Sequence, residues 1–115
     1  MAYSVEREAI AWLAGLGYDA HFAVPGKRPD RFVTVSRVSG SVANRVDHPQ
    51  ITIDIWAQSA EEASDAALAI REAALGGSRP SGVRAIEGVT GPVWAPDPET
   101  RQPCYELLLD MACRI

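Results

Sequence analysis

The chain has 115 residues, of which 47% are hydrophobic and 23% charged, the length of one domain with a globular composition. Its formal net charge of −4 argues against a general nucleic-acid binder, which is more often basic overall with aromatics among its cations. No apolar run approaches the roughly 18 residues of a membrane span, and the two cysteines give neither CxxC spacing nor a second cluster for a metal framework.

The first residues carry Glu6 and Glu8 where a secretory leader carries bases, so cytosolic synthesis is expected. Ser4 is a candidate N-cap, followed by Val5, Ala9, Trp12, Leu13 and Leu16 at three- and four-residue spacing, with Gly17 where a helix stops. This spacing predicts a helix over residues 5–16 with Trp12 in the core. Residues 18–24 read as a short strand, and Pro25 and Pro29 then break regular structure twice. Residues 32–37 alternate, with Val33 and Val35 on one face and Thr34 and Ser36 on the other. Residues 39–49, rich in Ser, Gly, Asn and Asp, are too long for a tight turn. They read as a protruding loop between hairpin strands or as an exposed arm.

Residues 50–56 alternate again, and Ile51, Ile53, Ile55 and Ala57 share a face. Ser59 and Glu62 form a capping box. Ala63, Ala66, Ala67, Ile70 and Ala74 make a narrow stripe that lets this second helix lie close to a sheet, and Gly76-Gly77 ends it. Residues 83–94 predict a strand kinked or bulged at Gly88 and Gly91, and residues 95–103 a proline-rich loop. Tyr105, Leu107, Leu109, Met111 and Cys113 alternate with Glu106 and Asp110 in a final strand. Cys104 and Cys113 are an odd number of positions apart, so they face opposite ways and read as reduced packing residues.

The order α-β-β-β-α-β-β predicts one α+β domain over residues 1–115: a mostly antiparallel sheet of about five strands with two helices packed on it. Phe32, Val38, Trp56 and Leu108 fall on its more polar face. They are ordinary core if one helix covers each face. If both helices cover the isoleucine face, they call for a partner chain.

No GxxxxGK[ST], GxGxxG, HExxH, GxSxG or EF-hand spacing occurs. His21 and His48 sit at or near strand boundaries without a neighbouring nucleophile to activate. Asp47, Asp54, Asp97 and Glu99 could be combined on paper into a carboxylate pair or metal site. Asp97 and Glu99, however, lie among prolines in a turn setting, and Asp54 occupies the outward phase of its strand. No catalytic, cofactor-binding or metal residue is assigned, and no cofactor is expected.

Charge is unevenly placed. Residues 27–45 carry Lys27, Arg28, Arg31, Arg37 and Arg45 against Asp30 alone, whereas residues 59–78 carry Glu61, Glu62, Asp65 and Glu72 against Arg71 alone. Opposite charge on two parts of one subunit suits head-to-tail contacts between copies, and it also suits a patchy solvated surface. Trp56 and Trp94 are candidate interface anchors.

The segments Pro29-Asp-Arg-Phe-Val-Thr-Val35, Asp47-His-Pro-Gln-Ile-Thr-Ile-Asp-Ile-Trp-Ala57 and Gly91-Pro-Val-Trp-Ala-Pro-Asp97, with the capped alanine-rich helix between them, resemble the tail terminator (tail completion, head-to-tail joining) proteins of long-tailed bacteriophages, particularly those of actinobacterial hosts. The resemblance covers most of the chain in the same element order. It implies a non-enzymatic ring subunit, typically of six copies, that caps the tail tube, ends its polymerisation and presents a surface to a head connector or stopper protein. The implied partners are copies of itself, the tail tube protein and that connector, with DNA passing through the ring without specific binding. The implied location is the head-proximal end of the tail in the virion, and the host cytoplasm before assembly.

On this reading the arm at residues 39–48 and the loop at residues 95–102 carry the contacts, through Arg37, Arg45, Asp47, Trp56 and Asp97. Glu61, Asp65 and Glu72 form a complementary acidic face. Replacing Arg45 and Asp47 together by alanine is expected to weaken assembly and leave the monomer folded. The alternatives are another head-tail connector or minor tail protein, a small nucleic-acid-binding module that uses residues 27–45 on phosphates, and a small hydrolase or isomerase with an unannounced carboxylate pair.

Overall fold

The computed structural model describes residues 2–114, which form two helices and one five-stranded sheet: α1 (Val5–Gly15), β1 (Ala20–His21), β2 (Phe32–Ala43), β3 (Val46–Trp56), α2 (Ala60–Leu75), β4 (Val83–Trp94) and β5 (Cys104–Arg114). The strands lie in the spatial order β1-β2-β3-β5-β4. Element order and α+β class are those the sequence predicts. The sheet is mixed rather than wholly antiparallel, because β1 pairs parallel to β2 while the other three pairings are antiparallel. A tight turn would have reversed the chain after β1. The intervening residues 22–31 contain Pro25 and Pro29, and they carry the chain back the length of the strand instead.

Both helices begin at the predicted caps. Ser4 Oγ accepts from the Arg7 N–H at 3.2 Å, and Ser59 Oγ accepts from the Glu62 N–H at 3.1 Å. Both also lie on the same face of the sheet. Val5, Ala9 and Leu13 of α1, with Ala66, Ala67 and Ile70 of α2, pack with Val33, Val35, Ile51, Ile53, Ile55, Leu107, Leu109 and Met111 in one core. Trp12 is half-buried at its margin, and its Nε1 donates to Ser78 Oγ at 2.7 Å, tying α1 to the chain just beyond α2.

With both helices on the isoleucine face, the other face lies open, yet Phe32 and Trp56 are covered by this chain itself. They stack with centroids 5.8 Å apart and form a second small cluster with Cys104. Val38, by contrast, is left exposed and Leu108 half-buried. Cys104 lies in this second cluster and Cys113 in the main core, both free and on opposite faces as their spacing predicts.

Residues 39–49 differ from expectation. They are the continuation of two strands rather than a loop, so β2 and β3 form one long hairpin closed by Asn44-Arg45. Both turn residues have positive φ (52° and 60°), the geometry that matches the twist of a two-residue hairpin. The ladder shifts register between Arg37 and Ser39, bulging Val38 outward. Gly40 (φ +120°) then lets the strands approach where a Cβ would collide with the His48 carbonyl. The predicted strand at residues 18–24 contracts to Ala20–His21.

Candidate assembly surfaces

In the β2-β3 hairpin Arg37 is register-paired with Ile51 and Asp47 with Val42, and the Arg37 side chain reaches along the ladder to Asp47. The guanidinium donates to both carboxylate oxygens, at 2.7 and 2.8 Å. That fork geometry holds a planar carboxylate firmly. Asp47 is buried and its hydrogen bonds raise the Arg37 pKa further. The pair is thus internal, anchoring the arm to the core next to Cys113, and the Arg45/Asp47 double alanine variant is not neutral for folding. Arg45, at the turn, is exposed and remains available to a neighbour.

A second constellation joins the loop at residues 95–103 to residues 22–31. Arg28 lies over the Trp56 ring (5.4 Å to the centroid), donates to Asp97 Oδ2 at 2.9 Å and donates to Gln102 Oε1 at 2.7 Å. Asp97 Oδ1 accepts from the Glu99 and Thr100 N–H groups. These backbone bonds, with Arg28 behind them, hold the Asp97 carboxyl below the ordinary range. Trp56 is only 8% exposed and its Nε1 donates to Thr34 Oγ1 at 3.3 Å. It therefore holds this clasp together and presents little surface to a partner. Arg28, which no local pattern singles out, is its central residue.

The open sheet face is acidic. Asp54 and Glu106 are direct cross-strand partners on β3 and β5, and Asp110 follows four residues along β5, accepting from Gln50 Nε2 at 2.8 Å. Burial, together with a hydrogen bond to Glu106 and its charge, pushes the Asp54 carboxyl up to about 7. The outward phase of Asp54 is as predicted. Its pairing with Glu106, 52 positions away, needs the β3-β5 register and has no local signal. Neither carboxylate lines the concavity of about 500 Å³ formed by Ala2, Tyr3, Ser4, Val5, Glu6, Arg37 and Asp47. Among the described residues no three His, Cys, Asp or Glu side chains group closely enough to hold a metal ion.

On α2, Glu61, Asp65 and Glu72 are all exposed and lie along the side opposite the buried alanines, with the 64%-exposed Leu75 beside them. The ion pairs among the described residues join His21 to Asp19, Arg28 to Asp97, Arg37 to Asp47 and His48 to Glu87. None uses an α2 acid or Lys27, Arg31 or Arg45. Both histidines thus have carboxylate neighbours and no nucleophile. No protein-family model matches the chain, and comparison with curated proteins gives no significant match.

Proposed function

We propose that this chain is a structural subunit that assembles head to tail with copies of itself into a ring, and that the ring terminates a phage tail tube and receives the head connector. The observation that carries this reading is the placement of charge in the fold. Exposed cations lie in the segment that joins β1 to β2 (Lys27, Arg31) and at the β2-β3 turn (Arg45), whereas α2, which lies over β4 and β5, presents Glu61, Asp65 and Glu72. Complementary ends on one subunit favour a heterologous contact, which closes into a ring when its rotation divides a full turn.

The open face with Asp54, Glu106 and Asp110 suits a lumen that repels the phosphates of passing DNA. A nucleic-acid-binding module is a weaker reading, because two of the five cations in residues 27–45, Arg28 and Arg37, are already committed to Asp97 and Asp47. Size-exclusion chromatography with light scattering, followed by particle imaging, tests the proposal. Closed rings with a central opening are expected. A monomer at every concentration that also fails to associate with tail tubes would refute it.

A further inference from the structure

The strand register gathers cations that are far apart in the sequence. Val46 pairs with Arg114, and Cys113 with Val83, so the β2-β3 turn, the end of β5 and the start of β4 lie side by side at one end of the sheet. Arg45, Arg114 and Arg84 stand at those three places, and all are exposed. Strands β3, β5 and β4 are adjacent, so about 10 Å of main chain spans the group. None of the three arginines enters the ion pairs among the described residues, and the acids of the strands beside them are engaged by other groups, Asp47 by Arg37 and Glu87 by His48. Glu6 and Glu8 belong to the first turn of α1, which packs on the core face. Like charges held this close repel, and an anionic surface set against them relieves the repulsion.

Such a surface exists on the opposite face of the molecule. α2 packs on the sheet through its buried alanines and Ile70, and its outward side presents Glu61, Glu62, Asp65 and Glu72, all exposed. From Glu61 to Glu72 this row covers roughly 17 Å of helix. None of the four acids enters an ion pair among the described residues, and the one cation of α2, Arg71, donates instead to the Gly91 carbonyl at 3.3 Å. Arg114 shares the strand phase of Glu106 and Asp110, whereas Leu107, Leu109, Met111 and Cys113 take the core phase. It therefore faces away from the helices, and the sheet separates it from the acidic row of its own chain.

Resting on the ring reading, we infer that the end of the sheet carrying Arg45, Arg84 and Arg114 docks on the outward side of α2 in the next copy, against Glu61, Asp65 and Glu72. Guanidinium groups suit the task, because each presents a fork of donors that matches a carboxylate. The two surfaces differ, so the joint is heterologous, and every copy offers both halves of it. Duplex DNA also presents anions to arginine, but it leaves the acidic row on α2 unanswered. A second copy satisfies both surfaces at once.

Charge reversal tests the joint. One variant carries Arg45→Glu, Arg84→Glu and Arg114→Glu, which makes both surfaces acidic. The other carries Glu61→Lys, Asp65→Lys and Glu72→Lys, which makes both basic. At low salt each alone should need a concentration at least about tenfold above that of wild type to assemble. Mixed in equal amounts they should assemble again, because each reversed surface then meets its opposite. Circular dichroism checks that both fold, and the single changes Arg84→Glu and Asp65→Lys replace a triple variant that does not. Assembly of either variant alone at the wild-type concentration would overturn this joint and leave the ring reading standing. So would a folded mixture that fails to assemble where wild type forms rings. Duplex DNA binding that the first variant loses while its assembly is unchanged would assign the arginines to phosphates and overturn the joint. Wild type that never assembles, alone or on tail tubes, would overturn the joint and the ring together.

Discussion

Replacing Asp54 by asparagine should stabilise the monomer at neutral and alkaline pH and do nothing at pH 4. In the folded chain burial and Glu106 move the Asp54 carboxyl from 3.8 to about 7. The native state therefore holds a proton that the unfolded chain releases, and stability falls as pH rises between those two values. Below the lower value the term is fully present, and above the upper one it is lost. A displacement of about three pH units corresponds to about 4 kcal/mol at most. Asp54 stands on a sheet face that solvent partly reaches, so screening reduces this to about 1–2 kcal/mol. Asparagine keeps the shape, carries no charge and can donate to Glu106. Thermal unfolding of wild type and Asp54→Asn in dilute solution should then give equal midpoints at pH 4 and a gap of roughly 5 °C at pH 8. Equal midpoints at pH 8, or the same gap at both pH values, would refute the idea that Asp54 and Glu106 compete for one proton.

Arg37→Ala should cost about 2 kcal/mol in urea denaturation, because it leaves the Asp47 carboxylate buried without its fork, whereas Arg45→Ala should change stability by less than about 0.5 kcal/mol. Arg45→Gly should stabilise by about 0.5–1 kcal/mol, since Arg45 holds φ +60° at the turn position where Asn-Gly is the favoured pair. Burial pushes the Cys104 thiol up to about 12 and raises Cys113 too, so neither should react with a thiol reagent at pH 8 until the chain is unfolded. Fast labelling of either in the native state would contradict the packing of that face.

The elements that announced themselves did so through local chemistry. Ser4 and Ser59 cap as expected, and the alternation of Ile51, Ile53 and Ile55 or of Leu107, Leu109 and Met111 survives intact in the core. Residues 39–49 misled because Ser, Gly, Asn and Asp are turn-formers. Here the pairing of β2 with β3 overrides that preference, and the actual turn, Asn44-Arg45, lacks the glycine that usually marks it.

Of the residues proposed for contacts, Arg37 with Asp47 and Trp56 with Asp97 were each brought together, but inside the subunit. The strands that seat them come from separated parts of the chain, and only the folded register shows which charges are already satisfied. The same holds for Asp54 with Glu106.

The most direct test of terminator function is to delete the gene for this chain from its genome of origin and measure tails by electron microscopy. Loss of a terminator predicts headless tails of uncontrolled, excessive length, corrected by the wild-type gene. Tails of normal length joined to filled heads would contradict it.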